Sequence, residues 1–479
     1  MHVKTLHLSD KMLLYLVTWR LVWAVLSQTW YVPDETWQSV EVAHRSVWGR
    51  GQLTWEADLA IRSSLQSLPH AVLFKLLALL RLDFQFLVVL LPRMMTGLLT
   101  ALGDHSFYQF VRRREGRGCA SWLLLLVQTN WFLLYSGSRT VINTAEMSLL
   151  SLGISLYPGP SFLSVVALSV MLRPTLVIVW TPLVLKYLFK VIKYRGVLRL
   201  IKTGITPILV ASSIGVIDSI FYGKITLTPL NFFQVNIVHN LGSFYGTNPH
   251  TWYLSHALLP ILGPLLPLAL ISMVRDSSEL KWPVLTTLVA FSTLEHKEMR
   301  FIQPVLPLLF FFAAKQLYRM TGSPPTSTWL LLVSAINLPL ALYLSLVHQR
   351  GVVDAALWLG SQSNISSAVY LMPCHSAPMY SHTHRLDIQL EYLTCLPNLD
   401  KDPQHVEEVE MFYSEPEYLI SSKYSSYDCL IMFDSLLKRL KNGTEKNVLD
   451  KLGFKDTQTF FHTHFPEGRV DREIHAMCK

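Results

Sequence analysis

Charge is the scarcest ingredient of this chain: Asp, Glu, Lys and Arg make up only 15% of its 479 residues, while 51% are hydrophobic. Soluble domains carry more charge and less continuous apolar sequence, so a mean hydropathy of +0.33 excludes an ordinary soluble protein. A small-residue cleavage site is also missing between the apolar run 12–26 and Trp30-Tyr31-Val32-Pro33, which makes that run a first membrane span rather than a removable signal. His375, His382 and His384 near Cys374, with His462 and His464 later, have no spacing of a closed tetrahedral zinc motif. No acidic metal cage is present, so no metal is expected. The absence of an inverted repeat argues against a transporter, which is the remote alternative.

What the chain does have is long apolar sequence. Windows at 11–28, 121–135, 254–274 and 329–347 approach or reach the roughly 20 residues that cross a hydrocarbon core. The fold class is therefore an α-helical polytopic membrane protein. The net charge of +8 need not mean nucleic acid, because basic residues of membrane proteins gather on cytosolic loops. Arg112-Arg113-Arg114 with Arg117 form one such loop, and Lys186, Lys190, Lys193, Arg195, Arg199 and Lys202 form another. Arg275 with Lys281 and Arg319 mark two more.

With those loops cytosolic, a consistent tracing has about eleven transmembrane helices, at roughly 12–28, 84–111, 121–136, 145–157, 160–172, 174–190, 203–221, 253–273, 282–295, 302–318 and 328–347. The segment 69–82 is apolar but carries Lys75 and Arg81, and reads as an interfacial or re-entrant helix. The amino terminus is then cytosolic. A first luminal loop at 29–68 follows, and everything after His348 is luminal. The sequons at Asn364 and Asn442 fall on that side, as glycosylation acceptors should. Two domains follow: 1–350 in the membrane, and a small luminal α/β domain at 351–479. In the latter, 368–372, 429–433 and 457–462 read as strands and 434–441 as a helix. It holds four of the five cysteines (Cys374, Cys395, Cys429, Cys478), and three disulfide connectivities are open.

The most informative cluster is His296-Lys297-Glu298-Met299-Arg300-Phe301, set between apolar stretches at 285–294 and 302–317. Ionisable groups at a membrane boundary mark a functional site unless they form a plain stop-transfer loop. In the first luminal loop, Asp34-Glu35 after Pro33, with Trp37-Gln38, could be a helix start capped by Asp34. It could equally be a general base beside a second acid and a binding surface for a polar ring. Trp55-Glu56 and Arg62-Ser63 extend that loop. Arg139, near Asn143 and Glu146, is either a snorkelling cation or part of a site. The turn-rich loop 240–246, including Tyr245, either lines a site or connects helices.

Taken together, Pro33-Asp34-Glu35 with Trp37-Gln38, Thr54-Trp55-Glu56, Arg62-Ser63, Arg139-Thr140 with Asn143 and Glu146, Arg173-Pro174-Thr175 and the 296–301 cluster resemble a known family. It is the dolichyl-phosphate-mannose-dependent mannosyltransferases of the endoplasmic reticulum, which have the GT-C fold. Gln349-Arg350-Gly351, Met372-Pro373-Cys374-His375-Ser376 and Phe460-Phe461-His462-Thr463-His464 resemble its branch acting on glycosylphosphatidylinositol (GPI) precursors at the third mannose.

That resemblance implies a multi-pass protein of the endoplasmic reticulum with a lipid-linked donor, dolichyl phosphate mannose, and a GPI-intermediate acceptor. No cofactor is implied. It also implies α1,2 transfer with inversion, with Asp34 or Glu35 as base. His296, Lys297, Arg300, Arg139 and Arg62 would face the donor phosphate, with Glu298 orienting a cation. Trp37, Gln38, Trp55, Glu56 and Tyr245 would touch substrate. The alternatives within the family are an N-glycan α1,2- or α1,6-mannosyltransferase and the enzyme of the fourth GPI mannose.

Overall fold

A computed structural model describes residues 2–239, 241–242, 246–399, 402, 404–441 and 448–479, giving for residues 2–10 only their helical course. Tyr245 and Asn442 lie outside the described residues. The chain divides into two compact units: Met1–Val25, Glu56–Gln66 and Arg93–Ala341 form one, and Leu26–Trp55, Ser67–Pro92 and Leu342–Lys479 the other.

The first unit is helical. Among the described residues, Gln85–Thr129, Val197–Tyr222, Met299–Thr321 and Ser327–Ser361 are long and apolar enough to cross a membrane. Tyr253–Leu262 with Leu265–Arg275 makes a fifth if this pair, bent by 106°, counts as one span. Other expected spans are shorter helices, Ile142–Leu156, Ser161–Leu172 and Lys281–Thr293. Proline and glycine divide these stretches, because proline removes an amide donor and glycine tolerates a left-handed backbone. Gly263, at φ 50°, makes the bend before Pro264. The basic loop expected at 112–117 is instead helical on both sides of a break at Gly116, φ 87°. There Lys315 Nζ lies 2.7 Å from both Glu115 and Asp276. Arg20, fully buried, pairs with Asp104 at 2.7 Å and donates to Leu133 O at 2.8 Å. The buried Arg20 is thus matched by an acid, as burial of a charge in low dielectric requires.

The second unit is built on a five-stranded sheet: β1 (Ser367–Tyr370), β2 (Gln389–Tyr392), β3 (Cys429–Phe433), β4 (Lys455–Phe461) and β5 (Glu473–Cys478), in the order β2-β1-β3-β5-β4. β1 pairs in parallel with β2 and β3, while β5 runs antiparallel to β3 and β4. The α/β character, three of the strands and the helix Asp434–Lys441 match the expectation from sequence; β2 and β5 were not foreseen. Both faces are covered. Cys429, Ile431 and Phe433 enter one apolar core, while Leu430 and Met432 enter the other, the period of two inherent to a strand. Cys429 faces Cys478 in register and is bonded to it, and Cys374 is bonded to Cys395, which selects one of the three connectivities.

The first of those cores also takes in Trp30 and Trp37. Residues from the loop after the first helix are therefore part of the same core as the carboxyl-terminal sheet. Gln28 N donates to Ser345 O at 2.8 Å and Trp30 N to Gln349 O at 3.0 Å. The helix Leu68–Leu80, expected near 69–82, buries Phe74 and Leu77 and exposes Val72, Leu76 and Leu79, an apolar outer face of the kind an interfacial helix presents.

Candidate active site

In the helical unit, the 296–301 cluster connects Lys281–Thr293 to the 3-10 turn Met299–Val305. Glu298 is extended, and the residues two before and two after it hold its carboxylate. Arg300 Nε and Nη2 each donate to it at 2.7 Å, and His296 Nε2 lies 3.0 Å away. Burial alone would raise the Glu298 carboxyl, but the Arg300 guanidinium and His296 hold it well below the usual carboxylate range. Glu298 is therefore ionised and fixes the Arg300 fork, a bidentate geometry that restricts a long side chain. Lys297, also buried, donates to Asn248 O at 2.8 Å and to Leu294 O. Asn248 N returns a bond to Glu295 O at 2.9 Å, so the loop near 248 is tied to the cluster.

Phe301 carries two cations: the Arg300 and Arg173 guanidiniums lie 5.5 and 5.4 Å from its ring centre. Arg173 is 3.5 Å from Glu146, which accepts from Asn143 Nδ2 at 2.9 Å. Arg173 and Glu146 were not among the site residues expected from sequence, although their motifs carried the family resemblance. Arg62 pairs with Glu56 at 2.7 Å, and the Glu146 carboxyl lies within the electrostatic reach of Arg173, Arg62 and Arg300. Arg139 is fully buried, donating to Tyr135 O at 2.9 Å and stacked 4.2 Å over the Tyr135 ring.

Asp218 was not foreseen. It is fully buried and accepts from Ser63 Oγ, Ser64 N, Ser64 Oγ and Thr228 Oγ1 at 2.7–3.0 Å, while Tyr222 OH donates to Arg62 O at 2.7 Å. These bonds fasten the Glu56–Gln66 segment and so place Arg62. The missed signal was a lone carboxylate within an apolar run.

In the sheet unit, Pro33 opens a turn closed by Glu35 N donating to Val32 O at 3.1 Å. A π-helical turn Thr36–Val40 runs into the helix Glu41–Trp48. Pro33 O accepts from Trp37 N at 3.1 Å, so Asp34 and Glu35 are already in the first helical turn, one residue earlier than an Asp34 cap would place it. Glu35 is buried and Asp34 half-buried, so Asp34 is the more exposed of the two carboxylates. Trp37 Nε1 donates to Ala377 O at 3.0 Å, and its ring meets His375 and Tyr392 edge-on at 4.6 and 4.7 Å. Burial pushes His375 down to about 4, with Asp34 opposing the shift. Gln38 is half-buried and Trp55 buried. Cys374, His375 and Cys395 lie close enough to share an ion, but the two sulfurs are bonded to each other and offer no thiolate. Asn364 is exposed on a turn.

A model of the Alg9-like mannosyltransferase family matches residues 11–384. The chain is similar to the GPI alpha-1,2-mannosyltransferase 3 of Danio rerio, 37% identical over 96% of this chain and 88% of the relative. It is 35% identical to the GPI alpha-1,2-mannosyltransferase 3 of Homo sapiens, over 97% of this chain and 86% of the relative. Its fold is similar to the crystal structure of ArnT from Cupriavidus metallidurans bound to undecaprenyl phosphate, with a TM-score of 0.61, 12% identity and coverage of 99% and 98% of the two chains. That likeness agrees with the expected GT-C-like helical fold.

Proposed function

The chain belongs to the Alg9-like mannosyltransferase family, and on that premise we propose that it transfers mannose in α1,2 linkage to the second mannose of a GPI precursor, adding the third. The carrying observation is the near full-length likeness to curated enzymes of that activity. The donor is dolichyl phosphate mannose, used at the luminal face of the endoplasmic reticulum membrane by a multi-pass protein.

The chemistry follows from the stereochemistry of such a donor. Its mannose is β-linked and the product α-linked, so one in-line displacement suffices and no enzymic nucleophile is required. The acceptor 2-hydroxyl oxygen forms the new bond to C1 as the C1–O bond to phosphate breaks. A base takes the hydroxyl proton, a role for which Asp34 is better exposed than Glu35. Phosphate leaves without protonation if positive charge meets it. Arg300, oriented by Glu298, is the leading candidate, with His296, Lys297, Arg62 and Arg139 as further candidates. Trp37, Gln38, Trp55 and Glu56 are the candidate sugar contacts.

The test is purified full-length protein in lipid with labelled dolichyl phosphate mannose and a two-mannose GPI acceptor. A three-mannose product whose label an α1,2-mannosidase removes is expected. Transfer to an N-glycan precursor instead, with none to the GPI acceptor, would overturn this reading.

A further inference from the structure

Glu41 is a buried acid that this mechanism does not use. Its side chain is fully buried. Oε1 accepts from Met379 N at 3.0 Å and from Ser381 N at 2.8 Å, and Oε2 from Gln52 N at 3.4 Å. An acid is a costly way to fill an apolar space, and here it satisfies backbone donors of the turn leading into the short helix Tyr380–Thr383. Two neighbours on the same helical stretch reach the same turn. Trp37 bonds Ala377 O, and His44 Nε2 lies 3.0 Å from His384 Nδ1.

Positions 37, 41 and 44 follow the spacing of one helical face, and they meet 377, 379 with 381, and 384 in rising order. Such a zipper fixes both the register and the roll of the helix. A slip of one residue would swing everything attached to its start by about 100°. What is attached there is Asp34-Glu35. From this we infer that Glu41 is a positioning residue, clasping the carboxyl-terminal domain's 377–384 turn to the helix behind Asp34, so that this domain sets the aim of the base.

The inference rests on the proposed function only for the role of Asp34, and the test separates the two. Glu41→Ala leaves the buried amides of Met379 and Ser381, and the half-buried one of Gln52, without their acceptor, whereas Glu41→Gln keeps an amide oxygen for Met379 and Ser381. Gln52→Ala is the control, because it removes a different bond from this loop to the sheet, Gln52 Nε2 to Leu390 O at 2.9 Å. In full-length protein, hydrogen exchange of peptides covering 31–40 should accelerate at least tenfold in Glu41→Ala and stay near wild type in Glu41→Gln and Gln52→Ala. Unchanged exchange in Glu41→Ala overturns the clasp whether or not the wild type transfers mannose.

In the transfer assay, kcat per folded molecule should fall about 10- to 100-fold in Glu41→Ala, the scale of a reacting group misplaced by about 1 Å. Both KM values should stay within about twofold, and Glu41→Gln should recover most of the rate. Faster exchange with an unchanged kcat per folded molecule would leave Glu41 merely structural and overturn the positioning role. A well-behaved wild type that transfers nothing would overturn the functional reading and leave the exchange result standing.

Discussion

In the helical unit, Glu298 finds its partners two residues away in sequence; in the sheet unit, Glu41 finds one 340 residues away. The first is a local device. Neighbouring charges compensate one another, the carboxylate stays ionised, and the group can answer a charged ligand. The second is a long-range device, in which polar groups fix the backbone and the histidines around them are held neutral. A site that must meet a phosphate needs charge that remains charge, and one that must aim a base needs rigid geometry.

The sharpest way to break this contrast is Asp34→Asn. It should lower transfer about 10³-fold or more, with expression and glycosylation at Asn364 unchanged, while Glu35→Gln keeps more activity. Full transfer by purified Asp34→Asn would remove the base from the sheet unit altogether. Arg300→Ala comes next, with an expected loss of about 10²–10³ in rate, the usual cost of one preorganised donor. It should also depress use of donor more than of acceptor, and an unchanged donor dependence would mark Arg300 as structural.

Acid should separate the two regions by degree. Burial holds His44, His375 and His462 down to about 4, against an ordinary value of 6.5. Between those values the unfolded state binds more protons than the folded one, so stability is full above about 6.5 and falls as pH drops towards about 4. Glu298 is depressed instead, so its contribution persists until pH falls below about 4.5, the ordinary value. Hydrogen exchange of the sheet unit should therefore rise first on acidification. Simultaneous loosening of both regions only below pH 4.5 would contradict this. The smallest effect expected is that of Asn364→Gln, a gel shift from a lost glycan with transfer within about twofold of wild type. A larger loss would implicate the exposed turn in the reaction.

The same contrast explains what could be read from the sequence. Residues 296–301 announce themselves because the partners sit side by side, and β1 and β3 because their apolar runs are continuous. β2 and β5 escaped notice because Gln389 and Glu391 in β2, and Glu473 and His475 in β5, alternate with their apolar residues, so neither presents a long apolar run. The bond from Trp37 to Ala377 and that from Glu41 to Ser381 have no local signature, since nothing near Trp37 specifies a carbonyl 340 positions on. The break at Gly116 reads as a loop because three arginines precede it, although the helix resumes beyond it.

That separation has a consequence for biosynthesis. At the usual ~5–20 residues per second of translation, the stretch holding Asp34 precedes its turn at 377–384 by roughly 20–70 s. Until the turn arrives, the stretch has neither its zipper nor the core that encloses Trp30 and Trp37. A nascent or truncated chain would already display most of its membrane helices, yet Asp34 would have no fixed aim. Completion of the polypeptide would thus act as the licence to modify lipid, and ribosome stalling before residue 377 should yield membrane-inserted but inert protein.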